Sequence, residues 1–250
     1  MPERYFCQII AHERIADDIF AVMTEWRESA GTRPGQFIHI KCGELLLRRP
    51  ISICSVRDDT LKFIFEVKGE GTRRLSEHRP GDVLDILGPL GNGFTLPQGE
   101  TIVIGGGIGV PPMLYVAESL ESSVTAVLGF RDKSRVILKS EFESVCDEVF
   151  VTTDDGSIGA RGPVTGSLER LLRDKTGATV LACGPRAMLR SVAQVCEKYG
   201  VSCQVSLEER MGCGVGACLV CACATRIDGE DYMARVCKDG PVFNAREVVW

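Results

Sequence analysis

The 250-residue chain is predicted to be a multidomain β plus α/β protein. An antiparallel six-stranded barrel is expected over residues 1–98, a parallel-sheet α/β domain over 99–210, and a small cysteine-bearing segment over 211–250. Three observations carry this reading. Short β-like runs broken by turn residues fill the first domain. From Glu100 the pattern changes to strands alternating with helical stretches. Near the C-terminus, cysteines recur at a tight and regular spacing.

In the first domain the runs Phe6–Ala11, Ile19–Trp26, Gln36–Lys41, Pro50–Val56, Leu61–Val67 and Val83–Leu87 read as strands. Asp58-Asp59 makes a hairpin turn, and Pro34-Gly35 and Pro80-Gly81-Asp82 are further turn signals. Six strands with no long helix between them predict a small closed barrel. One short helix is expected after Gly71, with Thr72 as its N-cap and Arg73–His78 as its body. Arg48-Arg49-Pro50-Ile51-Ser52 places two guanidinium groups just before a strand. Gly69-Glu70-Gly71-Thr72 places flexible N–H groups at a helix start, a ready anion site. Together they point to a phosphate-bearing ligand.

In the second domain Thr101–Ile104 reads as a buried strand, followed by Gly105-Gly106-Gly107-Ile108-Gly109 and a helix opened by Val110-Pro111-Pro112. Proline suits the first helical turn, where its missing N–H costs nothing. Further strands are expected at Val124–Phe130, Glu148–Thr153, Thr179–Cys183 and Cys203–Leu207. The helix Arg186–Tyr199 repeats Met188, Val192, Val195, Cys196 and Tyr199 at helical spacing, a predicted core face. Such a sheet binds its ligand beyond the strand carboxyl ends, where the glycine run lies. A strict G-x-G-x-x-G fails, because Val110 holds the last position.

Cys213, Cys218 and Cys221 are spaced C-x4-C-x2-C, and Cys237 follows after fifteen residues. That is the plant-type ligand pattern for a [2Fe–2S] cluster. Gly212, Gly214 and Gly216 let the backbone wrap a small inorganic core, and their N–H groups can donate to its sulfurs. Zinc takes the same four thiolates, so spacing alone leaves a zinc site open. Cys223 is a spare thiol beside them.

Composition narrows the class. At 44% hydrophobic and 25% charged residues the chain is that of a soluble globular protein. A net charge of −5 gives no reason to expect nucleic acid or an anionic membrane. No apolar run reaches membrane-spanning length, and the opening residues resemble no signal peptide. Twelve cysteines in such a chain favour a reducing cytoplasm. Those outside the cluster motif, such as Cys7, Cys54 and Cys203, sit mostly in apolar runs and read as core. His12, His39 and His78 are scattered, and no nucleophile–base constellation is apparent, so no histidine receives a role.

The arginine–serine strand and glycine–threonine helix start resemble the flavin domain of the ferredoxin-reductase family. The glycine run and Cys183-Gly184-Pro185 resemble that family's pyridine-nucleotide domain. The resemblance implies FAD, with Arg49 on its pyrophosphate, Ser52 on the flavin ring, and Gly71 and Thr72 closing on the phosphates. Pro50 lies in that motif, and Ile64, Phe65 and Glu66 would line the cofactor. Ile51 replaces the family's aromatic residue, so ring stacking is lost there. It implies further that Gly105, Gly106, Gly107 and Gly109 approach the pyrophosphate of NAD. Cys183 would face the hydride path with Gly184 and Pro185 beside it. Adenosine recognition would fall after Phe130 or around Thr152–Asp155, where Arg131 and Asp132 do not decide between NAD and NADP.

Three further stretches narrow the resemblance: Gly88-Pro89-Leu90-Gly91-Asn92-Gly93-Phe94, Val151–Ser157, and Cys237-Lys238-Asp239-Gly240-Pro241-Val242-Phe243. They are similar to the electron-transfer subunits of two-subunit, NAD-linked dihydroorotate dehydrogenases. In that family a separate FMN subunit oxidises dihydroorotate for pyrimidine biosynthesis, and electrons pass from FMN through [2Fe–2S] and FAD to NAD+. The resemblance implies a heterotetramer of two copies of each subunit, with an apolar interface around residues 210–250. Rival readings are the reductase subunit of a ferredoxin:NAD(P) transhydrogenase, a hydrogenase diaphorase, or a zinc-stabilised non-enzymatic module.

Overall fold

A computed structural model describes residues 3–27 and 31–250. Among these, the first domain contains β1 (Glu3–Ala16), β2 (Ile19–Glu25), β3 (Phe37–Ile40), β4 (Arg49–Arg57), β5 (Thr60–Glu66), α1 (Glu70–Ser76) and β6 (Val83–Leu90). The six strands close into a barrel in the order β1-β2-β5-β4-β3-β6, with neighbouring strands antiparallel throughout. Asp58 and Asp59 both take positive φ in the β4–β5 hairpin, as a tight turn matching strand twist requires. Its interior holds Trp26, Ile38, Ile53, Phe63, Phe65 and Ile86, each essentially without exposure. Burying each such side chain contributes about 1.5–3 kcal/mol.

Two local expectations change. The helix starts at Glu70 with Gly69 as N-cap, so Thr72 is its third residue. Gly69 is fully extended there (φ −173°), and the Thr72 hydroxyl reaches back to accept from Lys68 N (3.0 Å) and Gly69 N (3.3 Å). This is the returning half of a capping box. β1 also runs well past Ala11, to a hairpin at Asp18.

The second domain follows as β7 (Thr101–Gly106), a 3-10 turn (Gly107–Gly109), α2 (Val110–Glu118), β8 (Val124–Phe130), α3 (Lys139–Val145), β9 (Glu148–Thr153), β10 (Ala160–Arg161), α4 (Val164–Asp174), β11 (Thr179–Cys183), α5 (Arg186–Tyr199) and β12 (Cys203–Ser206). On α5 the innermost residues are Leu189, Val192 and Cys196; Met188 and Tyr199 are only partly buried, so the core face is rotated slightly from the predicted one. The tail adds the hairpin β13 (Ala222–Ile227) and β14 (Glu230–Arg235), then β15 (Val242–Asn244). Among the described residues the main sheet has seven strands, ordered β10-β9-β8-β7-β11-β12-β15. β15 is its antiparallel edge, pairing Phe243 with Val205.

The parts share their cores. α2 is buried on all sides, which fits a helix enclosed by protein rather than facing water. Its Tyr115 packs into the barrel core and donates its hydroxyl to Thr32 O (3.0 Å). Its C-terminal Glu118 accepts from Ser55 Oγ (2.9 Å) and Arg57 Nη2 (2.7 Å) of β4. Asn92, after β6, donates from N to Gly240 O (2.6 Å) and from Nδ2 to Lys238 O and Asp239 O. Pro241 in turn accepts from Leu207 N (2.8 Å). The Asp239-Gly240-Pro241-Val242-Phe243 motif is therefore a staple joining barrel, sheet and cysteine loop, an architectural reason invisible in its spacing.

Candidate functional site

The cysteine loop is a nest of N–H groups aimed at sulfur. Val215 N (3.4 Å) and Ala217 N (3.2 Å) donate to Cys213 Sγ, and Cys213 N to Cys218 Sγ (3.3 Å). Gly216 N donates to Cys237 Sγ (3.1 Å) and Cys237 N to Cys221 Sγ (3.5 Å). Gly214 and Gly216 take φ of +72° and +82°, a region that disfavours any Cβ, and this is what turns successive N–H groups inward. Burial pushes the Cys213 thiol up, but the N–H donors of Val215, Cys218 and Ala217 outweigh it and hold it at about 6. Cys237, buried beside Cys221, is pushed up to about 12. Arg235 braces the loop: it chelates Asp239 (Nε 2.9 Å, Nη2 2.9 Å) and donates to Gly216 O (3.2 Å).

The donor set fits two irons better than one ion. A zinc site gathers four sulfurs about a single point. The thiols stand instead as two pairs, Cys213 with Cys218 and Cys221 with Cys237. Each pair suits one iron of a [2Fe–2S] core, whose sulfurs the backbone donors would meet. Cys223, the spare thiol, is turned into the core and its pKa is raised by burial.

On the barrel, Arg48 and Arg49 part company. Arg48 is taken up by Asp85 (2.8 Å), whereas Arg49 donates to backbone carbonyls at Leu47 and Arg48. The Arg49 guanidinium lies over Gly71, where a Cβ would sit 2.3 Å from Nε. Arg49, Gly71 and the start of α1 are thus one cradle with cationic and N–H donors, suited to a diphosphate. Pro50 and Ser52 lie half-buried on the same strand, and Ile51 leans on the barrel core. Of the other residues expected along the cofactor, Phe65 turns inward and stacks on Phe20 (5.8 Å), because alternate strand positions face the interior. Ile64 joins the core between the domains, and Glu66 is engaged by Arg135 (3.2 Å) and Lys68 (3.2 Å).

In the α/β domain the glycines divide by role. A Cβ on Gly109 would stand 2.6 Å from the Cys183 carbonyl, on Gly105 2.7 Å from Val110 Cα, and on Gly106 2.4 Å from Met188 Sδ. Those three let two loops close on each other. Gly107, exposed at φ +53° with nothing within 4 Å, is the one open to a ligand. Cys183, half-buried at the carboxyl end of β11, has its thiol pushed up to about 12 by burial despite a hydrogen bond with Ser206, so it is a neutral thiol. Gly184 (φ +155°) and Pro185, the N-cap of α5, complete that rim. Near the expected adenosine end, Asp132 caps Ser134 N and Lys133 N donates to Ser157 Oγ (2.8 Å). A cleft of about 300 Å³ between Met23, Lys62 and Ile137 shares no residue with these sites.

Sequence reasoning missed Arg235, Asn92 and the burial of His39. Only Arg235, four residues before Asp239, left a visible signal.

Residues 208–249 match the family described as the iron–sulfur cluster binding domain of dihydroorotate dehydrogenase B. Similar full-length relatives are named dihydroorotate dehydrogenase B (NAD(+)), electron transfer subunit. One from Caldanaerobacter subterraneus subsp. tengcongensis is 40% identical over 246 residues, covering 97% of both chains. One from Streptococcus pneumoniae is 40% identical over 253 residues, also covering 97% of both. Among solved structures, one of an NADH-dependent reduced ferredoxin-NADP oxidoreductase superposes with a TM-score of 0.88 at 31% identity, over 98% of this chain and 90% of that one. A ferredoxin NADP+ reductase from Neisseria gonorrhoeae with bound FAD and NADP shares the fold (TM-score 0.64, 15% identity, 79% and 92% covered).

Proposed function

Because this chain belongs to the family of dihydroorotate dehydrogenase B (NAD(+)) electron transfer subunits, we propose that it links an FMN-bearing, orotate-forming partner to NAD+ through [2Fe–2S] and FAD. The observation that carries this is the paired cysteine nest, joined by its own tail to both the barrel and the nucleotide sheet. When bound, the cluster exchanges single electrons, nicotinamide a hydride, and flavin either, which is the chemistry such a relay requires.

The residues divide the remaining work. Cys213, Cys218, Cys221 and Cys237 hold the cluster, and the N–H groups of residues 213–217 stabilise negative charge on its sulfurs. Arg49, Gly71 and Thr72 hold the FAD diphosphate, while Pro50, Ile51 and Ser52 form the wall beneath the ring. Gly107 admits the NAD diphosphate, and the neutral Cys183 thiol packs beside the nicotinamide without competing as an anion.

The partner docks on the cluster face. Cys218 is exposed there, on a loop with Leu219 (63% exposed), Val220 (58%) and Val215 (39%). So apolar a rim around a thiolate ligand suits burial against another subunit. The assembly is two copies of each subunit. No helix among the described residues is long and apolar enough to cross a membrane, and the twelve free cysteines suit a cytoplasmic setting.

The test is co-purification under anaerobic conditions followed by flavin, iron and sulfide analysis. The expected complex contains FMN, FAD and a reducible [2Fe–2S] centre, and reduces NAD+ with dihydroorotate. A companion that forms no orotate refutes the reading. It would favour the transhydrogenase alternative, which the 31% identical neighbour represents less closely than the 40% identical relatives represent this one.

A further inference from the structure

His39 has no role in the arrangement above, yet it is wholly buried and both its ring nitrogens lack a hydrogen-bond partner among the described residues. It lies on β3 opposite Pro50 of the flavin strand. Residues paired across an antiparallel ladder project to the same face, so the ring leaves the barrel on the side of Pro50. The cluster loop is packed against it there. A Cβ added to Gly214 would stand 2.5 Å from His39 Nδ1 and 3.1 Å from Cε1. Only a glycine fits, one residue after the ligand Cys213. The Arg48 and Cys213 backbones are both polar neighbours of the ring, but neither meets full hydrogen-bond geometry with its nitrogens. Arg48 fixes the strand from behind, donating to His39 O (3.3 Å) and pairing with Asp85.

Whichever its protonation state, the ring carries at least one N–H. An unmatched buried donor costs about 1–3 kcal/mol, and buried polar groups are almost always paired. An aliphatic side chain would fill the same space without that cost. A well-aligned acceptor is then one that the described residues do not supply, on the Cys213 side of the loop. Resting on the cluster assignment above, we propose that His39 is a positioning residue for the iron–sulfur centre, donating from Nδ1 to sulfur on its Cys213 side and fixing the loop against the flavin wall. A donor to cluster sulfur favours the reduced, more negative form and so raises the potential.

The test is a redox titration of the purified holo complex, read by the paramagnetic signal of the reduced cluster, for wild type, His39→Leu and His39→Asn. The leucine variant is expected to shift the reduction equilibrium about tenfold toward the oxidised form, or about 59 mV more negative for a one-electron couple. The asparagine variant, whose amide nitrogen reaches the Nδ1 position, is expected to recover most of that shift, with FAD content unchanged in both. If His39→Leu loads no cluster, recovery of loading by His39→Asn but not by His39→Gln supports the same contact. An unshifted potential in a fully loaded leucine variant overturns the proposal, as does equal behaviour of the asparagine and leucine variants. A wild-type complex with no reducible iron refutes the function proposed above, a failure separate from one confined to His39.

Discussion

Gly216→Ala tests whether the N–H nest, rather than the cysteines alone, holds the cluster. The new Cβ meets two costs. At φ +82° the left-handed backbone penalty is about 1–2 kcal/mol. The Cβ would also lie 2.6 Å from Lys238 Cδ and 2.9 Å from Lys238 Cβ. The Lys238 Cβ is no flexible end, so the turn must move and the Gly216 N–H draws away from Cys237 Sγ. A hydrogen bond to a charged acceptor is worth about 1.5–3 kcal/mol, which brings the total to about 2.5–5 kcal/mol. Gly229→Ala is the control. Its φ is +86°, but nothing lies within 4 Å of its Cβ, so only the backbone penalty applies. The difference, about 1.5–3 kcal/mol, corresponds to roughly 10–150-fold in cluster retention and a melting point lower by roughly 3–12 °C. Iron and acid-labile sulfide per chain, measured during chelator challenge with FAD content as internal standard, read this directly. If the two variants lose iron alike, or Gly216→Ala keeps its cluster and melts unchanged, the nest argument is wrong.

Cys218→Ala is expected to abolish the cluster and spare NADH-to-dye activity through FAD; loss of both in a folded protein contradicts the electron order. Arg49→Ala should weaken FAD binding by roughly 10–150-fold, the value of one charge-assisted contact, measured by flavin titration, whereas Arg48→Ala should lower stability with little effect on FAD affinity. Glu118→Ala removes the acceptor of Ser55 and Arg57 at the join between the domains and is expected to cost about 1–3 kcal/mol in a denaturant melt. Burial works to raise Asp85, but its hydrogen bonds with Arg4 and Arg48 outweigh that and hold it below the usual carboxylate range. Its contribution is therefore complete above the unfolded value of 3.8 and is lost as pH falls through the lower folded value. Asp85→Asn should flatten the acid limb of the stability profile below about pH 4, and an unchanged limb would assign acid unfolding to other groups.

Strand positions, the parallel sheet and the iron–sulfur segment were legible because each rests on local pattern. Val124–Phe130, Glu148–Thr153 and Arg186–Tyr199 appear with the predicted bounds, since buried runs and helical periodicity are written in consecutive residues. What was not legible depends on partners far away in sequence. His39 looked like any isolated histidine until β3 brought it against Gly214. The glycine run looked uniformly like a phosphate loop, yet Gly105, Gly106 and Gly109 answer to Val110, Met188 and Cys183, and only Gly107 faces outward. Phe65 was counted as a cofactor contact because a motif has no inside or outside; strand alternation turned it into the barrel. Thr72 fell three positions from its expected place because an extended glycine caps a helix as readily as a hydroxyl residue does.

The short strand Val242–Asn244 hides the backbone rim of β12, and that rim would otherwise offer unpaired amides to any passing chain. Since the same tail carries Cys237, the proposed last ligand to iron, a shortage of iron that loosens this residue would also uncover this sticky border. Metal starvation would then be felt first as clumping of the nucleotide half rather than as a slow enzyme.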